Sequence, residues 1–271
     1  IINMGVKLRI LFLFLIFAQL YANNQIPGSE QKRPILLRGG TLHTVSNGVL
    51  EETDLLFSEG KIITIDQRIK PSPETDVYDI YGKHVVPGFI ASYTRIGLTE
   101  ISAVKQTNDH SEIGILNPNV RANVTYNTDS DLIPITRSNG VLTINSVPAS
   151  GTIPGQSSVM SLDGWTWEEA TLKHPTALHI NWPDMNMEYE KKVKKGKKSQ
   201  RDIYLESIRG LNLLLRNVQA YYHRRNAKER KAEHKQKSDL RLESMIPFII
   251  FKEPIHICLL YTSDAADDWS S

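Results

Sequence analysis

Gly82-Lys83-His84-Val85-Val86-Pro87-Gly88-Phe89-Ile90-Ala91-Ser92-Tyr93-Thr94-Arg95-Ile96-Gly97-Leu98 is the stretch on which the reading of this chain turns. Within it, Val85 to Ile90 is a short apolar run of the kind that parallel sheets bury on both faces. Residues just past the carboxyl end of such a strand stand where α/β folds keep their ligand sites. Tyr93 and Arg95 are therefore candidate cleft residues.

Working outward, further blocks follow in order: Asn127 to Pro134, Arg137-Ser138-Asn139-Gly140-Val141, Gly155-Gln156-Ser157-Ser158 and Leu162 to Glu169. Together with Gly82 to Ile90, they resemble the metal-dependent amidohydrolases, in particular an exported, imidazolonepropionase-like branch. The resemblance runs from about Pro34 to Ile257. It implies an α/β chain in which a small N-terminal β-sandwich layer leads into a (β/α)8 barrel, whose first strand ends in Asp-x-His-x-His. In this chain Ala91 stands at the acidic position, and Tyr93 and Arg95 hold the two histidine positions. Imidazole nitrogens bind zinc through lone pairs, whereas a guanidinium offers only donors and stays protonated. No catalytic residue and no metal ligand is assigned, and the zinc-type ion that the family implies is not supported by the residues present.

For a complete protein, the resemblance implies hydrolysis of a non-peptide C–N bond, amide or cyclic amide, in a small-molecule substrate. A barrel of this type takes roughly 250 residues, more than Pro87 to Ile257 supplies. The expectation is an incomplete barrel and an inactive N-terminal fragment. The alternative is a non-catalytic exported binding protein on the same scaffold, with Arg95 gripping a carboxylate or phosphate.

The 271 residues are 40% hydrophobic and 23% charged, as in globular domains. Residues 1–22 read as upstream residues and a signal peptide, with Lys7 and Arg9 ahead of the apolar run Ile10 to Phe17 and a small residue at Ala22. An uncleaved membrane anchor is the other reading of this segment. Either way a periplasmic or secreted location is expected, with no stable membrane span after cleavage. Residues 23–33 form a polar linker, 34–86 the β-sandwich portion, and 87–257 the partial barrel with a basic helical insertion over 188–240. The remainder, 258–271, includes Cys258 to Asp268, which resembles a translated sequencing adapter, so the natural sequence is expected to stop near Ile257. Cys258 is the single cysteine, and no disulfide can form within the chain.

In the β portion, Ile35 to Val45, Asp54 to Phe57 and Lys61 to Ile65 are β-rich runs, with Glu59-Gly60 as a tight hairpin, and Thr75 to Ile80 adds a strand. Farther on, Asp129 to Ser138 predicts a helix despite Pro134, and Val141 to Val147 a second core strand. A Gly- and Ser-rich loop with Gly151 and Gly155 is expected next. It lacks the Gly-Lys-Ser/Thr of a phosphate-binding loop. Trp165 and Trp167 are read as packing residues at a helix start. Ala177 to Trp182 resembles the third barrel strand, which puts His179 near a carboxyl end, either as the third candidate cleft residue or as a satisfied core histidine.

About half of the 32 Lys and Arg lie between Lys191 and Arg241, although the whole chain is only +2. Ile203, Leu205, Ile208, Leu211, Leu214, Leu215 and Val218 nevertheless make a helical stripe, so the basic residues are read as its wet face rather than a nucleic-acid surface. A weaker reading is a patch for anionic polymers or membranes. Leu240 to Pro247 predicts the helix before a strand over Pro254 to Ile257.

Overall fold

The computed structural model describes residues 27–183, 198–229 and 238–259. The expected signal peptide, and most of the expected adapter tail, lie outside the described residues. The chain divides into two compact units, with the boundary between Phe89 and Ile90.

In the first unit, β1 (Ile35–His43), β2 (Val49–Ser58), β3 (Lys61–Asp66), β4 (Asp76–Asp79) and β5 (His84–Val85) form a single five-stranded sheet. Its order is β3-β2-β1-β4, and β5 takes up the remainder of the β1 edge beyond β4. Glu59 and Gly60 both have positive φ, 51° and 70°, the backbone that a two-residue hairpin between right-twisted strands requires. They join β2 to β3 antiparallel, with Ser58 opposite Lys61.

The β1–β2 ladder shifts register on both sides of Gly40, where an added Cβ would stand 2.3 Å from the Ile80 side chain. At this bulge the buried Asp54 carboxylate accepts hydrogen bonds from the N–H groups of Gly39 (2.9 Å) and Ile69 (3.0 Å), and Arg38 Nε lies 3.9 Å away. It thereby ties the chain after β3 to the bulge in β1. Leu36, Leu42 and Leu55 are buried, but Ile62, Ile63, Val77 and Tyr78 are exposed. Within this unit the sandwich portion is thus one sheet.

The second unit carries a curled five-stranded sheet of β6 (Phe89–Thr94), β7 (Val141–Ser146), β8 (Gly155–Ser161), β9 (Thr171–Asn181) and β10 (Ile255–Cys258), in the order β10-β9-β8-β7-β6. The expected Gly- and Ser-rich loop is confined to the turn around Gly151. From Gly155 onward the segment is β8, and Gly155 to Ser158 are buried. Strand β8 runs antiparallel to both β7 and β9, whereas β10 runs parallel to β9. Small polar residues can form this interior strand because Ser157 and Ser158 find side-chain partners on β9. A bare Gly155 is needed, since a Cβ there would meet the Val120 carbonyl oxygen at 2.7 Å.

Helix α1 (Leu132–Ser138) precedes β7 and places Pro134 in its first turn, where a missing N–H costs no hydrogen bond. The short α2 (Trp167–Ala170) is capped by the Thr166 hydroxyl, which accepts from Glu169 N–H. Tyr126, Ile133, Ile144, Met160, Leu162 and Ala170 form one core, against which Ala91 and Trp167 pack, while Trp165 is exposed.

The parallel connection from β9 to β10 runs through α3 (Gln200–Glu229) and α4 (Leu240–Ile249). Asp239 caps α4 by accepting from the N–H groups of Arg241 and Leu242. Leu178 and Ile180 of β9 are buried with Leu211 and Val218 of α3 and Met245 and Phe248 of α4. The helical stripe holds only from Leu211 onward. Ile203 and Leu205, expected on the buried face, are exposed because the core begins one turn or more beyond them.

Candidate functional site

Side chains alternate across a strand, so the residue between Leu178 and Ile180 points away from the helices. That residue is His179, 2% exposed, and the parallel register of β10 sets His256 opposite it. The two imidazoles meet edge to face with centroids 5.2 Å apart. Tyr93, near the end of β6, brings its ring to 6.1 Å from His179 in a second edge-on contact. Two of the three candidate cleft residues are therefore brought together.

Behind His179 runs a chain of hydrogen bonds through the sheet. His179 Nε2 lies 2.8 Å from Ser157 Oγ, and Ser157 Oγ lies 2.8 Å from Thr176 Oγ1. Thr176 donates to Asn145 Oδ1 at 2.8 Å, and Asn145 Nδ2 donates to the Ser92 carbonyl at 3.1 Å. The direction of every proton follows. Ser92 offers only a carbonyl, so the Asn145 amide must donate there and accept from Thr176. Each hydroxyl has one proton. Thr176 has used its own and accepts from Ser157, which must then accept from His179. His179 is thus held as the Nε2–H tautomer, with the lone pair on Nδ1.

Charge is disfavoured at this position. Burial, followed by the neighbouring His256, lowers the His179 pKa to about 4. Burial and nearby Cys258 raise the Tyr93 phenol, with Arg95 acting in the opposite sense. Arg95 lies just beyond β6 and is exposed. Its charge adds to burial in lowering the pKa of His110, whose Nδ1 lies 2.9 Å from Thr99 Oγ1.

These residues do not fit a metal ion. Arg95 has no lone pair to offer and the Tyr93 phenol is held protonated, so the two positions where the resemblance expects ligands supply none, and the imidazoles of His179, through Nδ1, and His256 are two ligands at most. Ala91, where the resemblance expects an acid, packs against the Tyr126 core instead. Among the described residues no group of three His, Cys, Asp or Glu side chains could hold a metal.

His256, Ser157, Thr176 and Asn145 escape the sequence reading. His256 sits in a strand that the sequence locates, but its pairing with His179 is a matter of register, which apolar runs do not encode. The three hydroxyl and amide residues carry no motif of their own.

No protein-family model matches the chain, and no curated protein matches it. Among solved structures, an amidohydrolase from Thermotoga maritima MSB8 superposes with a TM-score of 0.71 at 20% identity, covering 87% of this chain and 61% of that one. The chain therefore shares that fold and spans about three-fifths of that protein's length. A prolidase complexed with N-methylphosphonate-L-proline matches at 20% identity over 41% of this chain and 25% of its own, with a TM-score of 0.29. A triazine hydrolase from Arthobacter aurescens matches at 25% identity over 28% and 17%, with a TM-score of 0.24. The last two cover too little to bear on the fold. The chain thus has an amidohydrolase-like α/β fold, with the strand-end cluster carried on its curled sheet.

Proposed function

We propose that this chain is the amino-terminal portion of an exported amidohydrolase-like protein whose complete form hydrolyses a non-peptide C–N bond in a small molecule. The observation that carries this reading is the match to the Thermotoga amidohydrolase over 87% of the chain but only 61% of that protein. On this reading Tyr93 and Arg95 replace the first ligand pair, and a competent centre depends on residues that follow 257. Within the present chain, Tyr93 walls the strand-end cluster, and His179 stays neutral and fixed in one tautomer. Neither residue moves a proton in a metal-assisted step. No described helix is long and apolar enough to cross a membrane.

One observation favours a second reading, a non-catalytic binding protein on this scaffold. Arg95 is exposed at the strand end and makes no ion pair with a described residue, which leaves its guanidinium available to a carboxylate or phosphate.

Zinc content after equilibrium dialysis, together with hydrolysis of a panel of N-acyl and cyclic amides, tests both. The chain should take up no zinc at the strand-end cluster and cleave nothing. The longer protein carrying the sequence after 257 should hydrolyse at least one member of the panel. Inactivity of both, with carboxylate binding lost in Arg95→Gln, favours the binding protein. Zinc bound by this chain and lost in His179→Gln overturns both readings.

A further inference from the structure

We infer that His43 and His84 form a two-imidazole surface site for a late first-row divalent cation. His43 is the last residue of β1 and His84 the first of β5, so each is carried by backbone that the sheet holds in place. The parallel ladder pairs Thr41 with His84 and Leu42 with Val85, and Thr41 N–H donates to the Lys83 carbonyl at 2.9 Å. This pairing brings His43 Nε2 to 3.0 Å from His84 Nδ1, with ring centroids 5.2 Å apart and planes inclined by 42°.

That nitrogen spacing is within reach of a shared ion. Metal–imidazole bonds run at about 2.0–2.1 Å, and two of them at a right angle set their nitrogens about 2.9 Å apart. A tetrahedral angle would need roughly 3.4 Å on the same bond lengths. The observed 3.0 Å, the length of the hydrogen bond between the two rings, lies close to both values, so a small turn of the rings brings both nitrogens onto one ion.

In the ion-free state one ring donates its N–H to the other. On binding, that proton moves to the outward nitrogen of the same ring, and each ring turns its lone pair toward the ion. Two neutral imidazoles then become ligands with no net proton released. Both residues reach solvent, so water fills the remaining positions, and no third His, Cys, Asp or Glu among the described residues joins them. The ion would clip the two-residue β5 to β1 at the point where the chain leaves the first unit. This inference stands apart from the strand-end cluster and survives whichever function is found there.

Ni(II) is the probe, since Cu(II) would oxidise the Cys258 thiol. Bound Ni(II) per chain is measured by equilibrium dialysis on the full chain, and the thermal midpoint is followed with and without the ion. One tight equivalent and a raised midpoint are expected. His43→Gln and His84→Gln should each weaken that equivalent by more than about tenfold, since even an outer-shell partner is worth that much, and should abolish the rise. The circular dichroism of both variants should match the parent, because both positions are at the surface. Unchanged Ni(II) binding in both variants, or an equivalent lost only in His179→Gln or His256→Gln, overturns the site.

Discussion

Asp54 in the first unit and His179 in the second are both titratable groups buried within a sheet, yet the two sheets accommodate them in opposite ways. Asp54 is surrounded by donors: two backbone N–H groups converge on its carboxylate, and Arg38 lies beside it. His179 gives its single N–H to a hydroxyl chain that ends on a carbonyl, and a second imidazole sits against its ring. The first environment ties two chain segments together. The second excludes a cation and fixes a tautomer. A buried polar group is thus a fastener where irregular backbone supplies the donors, and an oriented neutral ring where regular strands supply only side chains.

The sharpest way to break the comparison is Asp54→Ala. It strands the N–H groups of Gly39 and Ile69 in a partly buried setting at roughly 1–3 kcal/mol each, so a loss of up to about 4 kcal/mol is expected in urea unfolding. Asp54→Asn, which keeps an acceptor, should lose less. Equal losses from the two variants would show that the carboxylate does not work through those N–H groups.

The next effect is on pH. The His179 pKa is lowered from the ordinary 6.5 to about 4, so between those values the unfolded chain binds the extra proton and the folded chain does not. Stability should therefore be full above pH 6.5 and fall as the pH drops toward 4, by up to about 3 kcal/mol at 1.36 kcal/mol per unit. His179→Gln should flatten that slope. Nitrogen NMR should show the Nε2–H tautomer in the parent chain, and Ser157→Ala should release it into a mixture. A tautomer unaffected by Ser157→Ala would refute the proton direction derived above.

The smallest effect concerns the helices that cover the other face of β9. Glu243 of α4 accepts from Ser238, from Tyr221 OH of α3 at 3.1 Å and from Arg225. The Ser238 hydrogen bond is the first cause holding its carboxyl below the ordinary range. The stability this adds is present above the unfolded carboxyl pKa and lost as the pH falls through the lower folded value. Tyr221→Phe should cost about 1 kcal/mol and leave the His179 slope intact. A change in that slope would show that the two faces of β9 are coupled.

How far the fold was legible depended on whether a local rule applied. The Glu59-Gly60 hairpin followed from turn chemistry, α1 from an acidic start and apolar spacing, and α4 from the family resemblance. Strand β7 followed from its apolar run, and the second half of β9 from the family resemblance. Strand β8 broke the rule: Gly155-Gln156-Ser157-Ser158 lacks apolar alternation, and its burial depends on partners located in β9. The stripe on α3 was read one stretch too early, because periodicity shows that a face exists and leaves open where the opposing core begins. At the strand ends, Tyr93 and His179 were legible from their place in a strand, whereas His256 and the Ser157–Thr176–Asn145 chain were not.

What the residues alone settled was chemistry that needs no partner: a guanidinium at position 95 cannot ligate a metal, and a two-residue turn with Gly60 must reverse the chain. Only the assembled sheets decided which side chains meet. Strand register and direction arise from contacts between segments far apart in the chain, and these set His256 against His179, carried the hydroxyl chain to Ser92, and placed His43 beside His84.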